Sequence, residues 1–358
     1  MVVRVYLKQA WNLMKQNPLF STLYIVGTGI SIVMTMVIAI VYYVRLAPVY
    51  PETNRMRTLV VKSAKMTNDE STHSANISYA MLKDWFYSLE SAEVSTGVFG
   101  TSYARVTNDK EEIPTYARYT DENFFRVFPL VFLEGKPFTE ADRRSGIHNV
   151  VLTDSYAQQL FGTTKGVVGK NFLMDYTNVK VVGVVKSGSF LTPDSYAQVY
   201  LPYSCRDGYD DEGSHWALGG YRVYILMKES KSVTDVQDEV LELVRKFNVS
   251  DMGDGWKLDL VGQPELYWHS TFRLWSNVAV DWGRVIWMFV GIFMVLLFVP
   301  AFNLSGMISA RMERQLPDLG IRKAFGASRR RLLVQIIWEN LLLTGLGTLL
   351  GLVIAWIV

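Results

Sequence analysis

A chain of 358 residues has room for one or two globular domains, but 49% of it is hydrophobic and its mean hydropathy is +0.13, which points part of it into lipid. Charge is nearly balanced, 36 Lys and Arg against 34 Asp and Glu, so no nucleic-acid partner is expected. The single cysteine, Cys205, excludes an intramolecular disulfide, and the four histidines at 73, 148, 215 and 269 lack ligand spacing, so no metal site is expected.

From the N-terminus, residues 2–16 place Val3, Leu7, Ala10, Trp11 and Met14 on one helical stripe, with Arg4, Lys8, Asn12 and Lys15 opposite. The pattern predicts a cytoplasmic interfacial helix over 1–18, stopped at Asn17 and Pro18. Residues 19–44 follow as a first membrane span, since their apolar run exceeds a signal-peptide core and no small-x-small cleavage site ends it. The basic residues before it face no acid, which sets that side as cytoplasmic. Within the span, Gly27, Ser31 and Thr35 recur every four residues, as Gly347 and Gly351 do near the C-terminus. Such spacing lets helices approach closely, and it equally matches the general enrichment of glycine in membrane helices.

Residues 45–284 hold 26 basic and 31 acidic side chains and read as a domain on the outer face. Strands are predicted at 58–62, 113–119, 149–152, 179–185, 197–202 and 221–227, and helices at 79–89, 121–128, 154–161 and 233–247, an α+β pattern. The acid-rich stretch 206–215 reads as a solvated loop. Trp268, Phe272, Trp275, Ala279, Trp282 and Ile286 are spaced 4, 3, 4, 3, 4, the seam of a coiled coil. This predicts a stalk helix over 265–284 running into a second span at 285–310; alternatively, Trp282 and Trp287 are interfacial belt aromatics. Pro300 interrupts that span.

The segment 311–331 carries seven basic residues against Glu313 and Asp318 and therefore reads as cytoplasmic. Pro317 forbids simple continuation from Leu316, so a new short helix is predicted over 318–327. Ile321, Ala324 and Phe325 form its apolar face, Arg322 and Lys323 lie beside them, and Gly326 ends it. Ser328 is then placed to cap a third span at 332–358, whose one acid, Glu339, either pairs with Arg331 or a neighbouring subunit or simply snorkels to the interface. On these residues alone, the short helix is either an ordinary positive-inside loop or a knob that docks into a cytoplasmic partner.

The run 303–351, "NLSGMISARMERQLPDLGIRKAFGASRRRLLVQIIWENLLLTGLGTLLG", resembles the FtsX-like permease domain of ABC transporters. Residues 45–264 resemble the MacB-like periplasmic core, two α+β lobes, through "YTDENFFRVFPLVFLEGKPFTEAD" (119–142), "VLTDSYAQQLFG" (151–162), "VGKNFL" (168–173), "VKVVGVVKS" (179–187) and "VYLPY" (199–203), which occur in that family's order. The resemblance implies an α-helical membrane protein with an α+β extracytoplasmic domain, a type VII ABC permease of a bacterial inner membrane. It makes Asp318, Leu319, Gly320, Ile321, Arg322, Lys323, Ala324, Phe325, Gly326 and Ala327 the coupling helix seated on an ATPase. Asp318 stands at the family's usual Glu position.

MacB-type chains carry their own ATPase, but no G-x-x-x-x-G-K-[ST] occurs here; "GTTKGVVGKN" (162–171) has the wrong spacing. The resemblance therefore implies a separate ATPase subunit holding ATP and Mg²⁺, with no cofactor on this chain, and a second permease copy. A periplasmic adaptor or outer-membrane channel and the lipid bilayer complete the expected partners. Motion of the outer domain would serve efflux of antimicrobial, peptide-like or hydrophobic compounds, lipoprotein extraction, or control of a cell-wall hydrolase. The resemblance implies a fourth span that returns the C-terminus to the cytoplasm; the sequence stops at Val358 inside the third, either by truncation or because this member is incomplete. No catalytic motif is found, so enzymatic activity is not expected on this chain.

Overall fold

The computed structural model describes residues 18–108, 111–210, 216–250, 255–326 and 328–357, together with Trp11 and Lys15. The amphipathic helix expected over 2–16, Ala327 and the acidic end of the 206–215 loop thus lie outside the described residues, as do the side chains of Asp318, Leu319, Arg322, Arg331 and Glu339. The chain divides into a helical unit, 1–43 with 282–358, and a central unit, Val44–Asp281.

The helical unit contains α1 (Pro18–Leu46, whose last three residues belong to the central unit), α7 (Trp282–Ala324) and α8 (Arg329–Ile357). Ser21–Leu46 and Leu332–Ile357 are each 26 residues long and apolar enough to cross a membrane, and Trp282–Leu296 forms a shorter apolar opening to α7. One expectation fails here. No separate helix begins at Pro317: α7 runs unbroken for 43 residues through both Pro300 and Pro317. Each proline removes one hydrogen bond and crowds the preceding turn. The strong helix formers on both sides, such as "ARMERQL" before Pro317, propagate through that local loss once the helix is nucleated.

Helices α1 and α8 touch where side chains are smallest. A Cβ added at Gly347 would stand 2.7 Å from Thr28 Cβ, and one at Gly351 would stand 2.8 Å from the Gly29 carbonyl oxygen. Beside this crossing the hydroxyls of Tyr24 and Thr344 are 2.9 Å apart.

The central unit is built on strands β1 (Thr58–Val61), β2 (Ala64–Thr67), β3 (Thr72–Ile77), β4 (Ala92–Asn108), β5 (Glu111–Thr120), β6 (Phe132–Gly135), β7 (Asn149–Thr153), β8 (Asn171–Met174), β9 (Thr177–Val185), β10 (Val199–Pro202), β11 (Leu218–Gly219), β12 (Tyr221–Met227), β13 (Lys257–Asp259) and β14 (Glu265–Leu266). Its helices are α2 (Tyr79–Asp84), α3 (Phe124–Val127), α4 (Glu140–Arg144), α5 (Asp154–Phe161) and α6 (Val233–Val249). The main path of the sheet is β13-β2-β3-β12-β4-β5-β10-β7-β9-β6, with β1 joining β12 to β14. Most pairs are antiparallel; β5 with β10 and β7 with β9 are parallel.

The continuous apolar run of β12 is explained by cover on both faces. Tyr221, Val223, Ile225 and Met227 enter one core, with Met81, Leu82, Val236, Val240 and Phe247, while Tyr224 and Leu226 enter a second core, with Phe124, Phe128 and Tyr200. Strand β4, 17 residues long, has no clear alternation in sequence because it mixes glycine, serine and threonine with apolar residues. Its Gly97 is required by packing: a Cβ there would lie 2.2 Å from Leu82 Cδ2.

Asp121, in the "YTDENFF" stretch, ties these layers together. Its carboxylate accepts from Thr96 Oγ1 (2.6 Å), Tyr87 Oη (2.5 Å), the Gly97 amide (2.9 Å) and the Phe124 amide (3.2 Å). Complete burial raises its pKa to about 6 against the pull of those donors. Asp121→Ala leaves several buried donors without an acceptor and should cost about 3 kcal/mol, read as a lowered unfolding midpoint of the purified chain. Because the folded pKa is raised, the carboxyl stabilises fully below the unfolded value of about 4, and that contribution is lost as pH rises through about 6. The stability of the native chain relative to Asp121→Asn should therefore fall between pH 4 and pH 7. In the helical unit, Gly347→Leu should destabilise by about 1–3 kcal/mol through overpacking. Gly345→Leu, whose added Cβ meets nothing within 4 Å, should leave the melting temperature in detergent nearly unchanged.

Candidate coupling tip and connector site

The last turns of α7 and the turn into α8 form the candidate coupling tip. Lys323, Ala324 and Gly326 are exposed with Gly320 and Ile321, and Phe325 is 87% exposed, an unusual state for a phenylalanine at a well-formed helix end. Gly326 has φ +87°, its amide donates to the Lys323 carbonyl, and the Phe325 amide donates to that of Ile321. After the turn, the Leu332 amide donates to the Ser328 carbonyl at the start of α8. The residues expected to form a coupling helix are therefore, where described, the C-terminal end of a long helix and not a free-standing one.

Among the residues singled out for helix packing, Gly347 and Gly351 lie on the α1 contact. On α1 itself the recorded contacts fall at Ile25, Thr28, Gly29 and Ile32. The Ser31 hydroxyl donates to the Gly27 carbonyl (3.0 Å) and that of Thr35 to the Ser31 carbonyl (2.8 Å), so this stripe satisfies its own helix backbone.

The coiled-coil stalk is not formed. Trp268 precedes a 3-10 turn, His269–Phe272; Trp275 and Ala279 lie in exposed non-helical chain; only Trp282 and Ile286 are in α7. Arg273 explains why. Its guanidinium is buried, pairs with Glu265, and donates to the carbonyls of Val261 (2.9 Å) and Val278 (2.6 Å), which folds 273–278 back on itself. Asn277, Val278 and Val280 are poor helix formers, and Asp281, a residue type favoured at N-caps, directly precedes α7.

A matching clamp holds the other connector. Arg55 is 3% exposed; its Nη1 donates to the carbonyls of Val44 (2.7 Å) and Ala47 (2.9 Å), satisfying the end of α1, and its other nitrogen pairs with Glu52. Ser195 Oγ also donates to Glu52 (2.7 Å). Beside this clamp stands Tyr267, with the Arg55 guanidinium 5.2 Å and Lys62 Nζ 5.8 Å from its ring. Lys62 pairs with Asp194 (2.9 Å), which also meets Arg222 (3.3 Å). Burial opposes ionisation of Asp194, but Lys62 and Arg222 outweigh it and hold the carboxyl well below the usual range. Backbone pairing completes the join, with Leu59 against Leu266 and Val60 against Glu265. None of these residues follows a motif spacing, and the nearest sequence signal is the Glu52, Arg55 pair three positions apart.

Two families match the chain: the MacB-like periplasmic core domain over residues 20–243, and the FtsX-like permease C-terminal domain over 277–358. The chain is 25% identical over 237 residues to the pyoverdine export ATP-binding/permease protein PvdT of Pseudomonas entomophila, covering 64% of this chain and 34% of that protein. It is 21% identical over 255 residues to the macrolide export ATP-binding/permease protein MacB of Escherichia coli strain K12, covering 71% and 37%. With the uncharacterized ABC transporter permease YvrN of Bacillus subtilis the values are 22% over 249 residues, 64% and 54%. The match thus spans about a third of the exporters' own length. Among solved structures, the periplasmic region of MacB from Actinobacillus actinomycetemcomitans aligns with a TM-score of 0.40 and 16% identity over 55% of this chain and 88% of that one. On the two family matches, this chain is an ABC transporter permease that belongs to the FtsX-like permeases with a MacB-like core domain.

Proposed function

We propose that this chain couples ATP hydrolysis on a separate ATPase subunit to movement of its central unit on the outer face of a bacterial inner membrane. The observation that carries the proposal is the tip at Phe325: an exposed aromatic with Ile321 one turn before it, at the end of a long helix and flanked by basic residues. A large apolar side chain held in that way is a natural anchor for a pocket on another protein. Arg329, Arg330 and Arg331 open α8, where the helix dipole disfavours cations, so their placement is better explained by a cytoplasmic membrane surface than by helix stability.

On this reading, force does not travel along a continuous stalk. It enters the central unit through two short connectors, one gripped by Arg55 and the other by Arg273, joined by the β1–β14 pairing and by Tyr267. Buried ion pairs resist partial loosening, because separating them exposes an uncompensated charge, and that makes the join stiff. A second permease copy and an envelope partner belong to the proposal. The exported class is proposed to be peptide-like or hydrophobic compounds, in line with relatives named for pyoverdine and macrolide export. Lipoprotein extraction and control of a cell-wall hydrolase are the outcomes the substrate assay must separate from it.

The test is permease-dependent ATP hydrolysis by a co-expressed ATPase subunit. Phe325→Asp should reduce complex formation by about tenfold or more, as expected for losing a buried anchor, with an unchanged melting temperature of the permease alone. An ATPase that binds and responds equally to the native chain and to Phe325→Asp would sink the coupling role. Arg273→Ala, which strands Glu265, should lower stability by about 3–5 kcal/mol. At a temperature where this variant remains folded, it should still bind the ATPase but lose export in a whole-cell accumulation assay.

A further inference from the structure

A cavity of about 190 Å³ lies within the central unit where the two connectors meet, lined by Arg45, Arg55, Lys62, Asp194, Ser270 and Thr271 with Tyr267 as a wall. Three cations and one acid line it, and Arg55 is already paired with Glu52, which is not part of the lining. Lys62 is shared with Asp194, but Arg45 forms no ion pair among the described residues. Arg55 Nε is buried without a hydrogen-bond partner among them. Ser270 Oγ is committed to the Tyr267 carbonyl (2.7 Å), whereas the Thr271 hydroxyl makes no hydrogen bond among the described residues. The site thus offers guanidinium and hydroxyl donors in excess of its acceptors, the set that suits a phosphate. Its volume is below the roughly 300–1,000 Å³ of sites for drug-sized ligands, so it fits one small anionic group.

What surrounds it selects the source of that group. Arg45 stands in the last turn of the 26-residue apolar helix segment Ser21–Leu46. On the other connector, directly after Ser270 and Thr271, Leu274, Trp275 (67% exposed) and Val278 present apolar side chains to the outside. A tryptophan with aliphatic neighbours beside a basic seat, at the end of a membrane-length helix, is the composition of a surface that enters the interfacial region of a bilayer. We infer that this cavity seats the phosphate of an anionic phospholipid headgroup, with Leu274, Trp275 and Val278 lying among the adjacent lipid. The headgroup bridges Arg45 on the first connector and Thr271 on the second. Membrane lipid thereby becomes part of the join between them. This assignment rests on α1 crossing the membrane and is independent of the ATPase coupling proposed above.

The experiment is native mass spectrometry of the full chain in a maltoside detergent, titrated with phosphatidylglycerol or, separately, with phosphatidylcholine. Phosphatidylglycerol should bind in preference. Arg45→Gln and Thr271→Val should each weaken its most tightly held copy by about tenfold, the scale of one charge-assisted hydrogen bond. Arg105→Gln, an exposed change away from the cavity, should leave it unaltered. The combined Arg329→Gln, Arg330→Gln variant, which removes basic residues at the start of α8, should preserve the dependence on Arg45. Equal retention of phosphatidylglycerol by Arg45→Gln, Thr271→Val and the native chain would overturn the site. Displacement of the tight lipid by millimolar inorganic phosphate, with Arg45-dependent phosphate binding in its place, would overturn the lipid assignment and leave a soluble phosphate site.

Discussion

The structure of the central unit depends on how two chain ends are held together. Chain leaving α1 and chain entering α7 converge on β1 and β14, and the convergence is locked by Arg55 with Glu52, Arg273 with Glu265, and Lys62 with Asp194. Buried charges of this kind are poor sources of net stability, since desolvation offsets most of the attraction. Their value is geometric. A guanidinium that must satisfy two carbonyls and one carboxylate at once admits only one arrangement of the connector, and any other strands a charge in the core.

This constraint alters the mechanical picture expected for a permease of this family. A coiled-coil stalk transmits displacement because a helix is stiff along its axis. Here the chain at 273–281 is not helical, and under the proposed function its stiffness would come from side-chain clamps across a short loop. The two designs differ in what disables them. A stalk fails by a helix break, whereas a clamp fails by loss of a single arginine. Two cores lie on opposite faces of one sheet, and Asp121 fastens β4, α3 and the turn after α2 to one another.

Much of the fold was legible because burial imposes periodicity. Six strands and four helices of the central unit were read close to their observed places, among them β12 and α6, whose apolar pattern is dictated by cover on both faces or on one. The α6 N-terminus was further marked by a capping box, Ser232 with Asp235. Strand β4 went unread since glycine and hydroxyl residues carry no alternation, and its 17-residue length is set by its partners β5, β8 and β12. The stalk was misread for the opposite reason. Its heptad spacing is real in the sequence, but a buried ion pair with Glu265, eight positions earlier, outweighs it.

By itself the sequence determined the membrane-length apolar runs, the basic segment between the second and third of them, the α+β character of the large unit, and the motifs that mark the family. These are local properties, written in composition, period and short spacing. Only the tertiary structure decided that α7 passes through Pro317 to end at Gly326, that α8 packs its glycines against Thr28 and Gly29, and that Arg55, Tyr267 and Arg273 gather at one join. Those outcomes rest on contacts between residues up to more than three hundred positions apart, and on competition between a local preference and a buried charge that must be paired. Even where both partners lie close in sequence, as Glu265 and Arg273 do, nothing local marks that their pairing is buried.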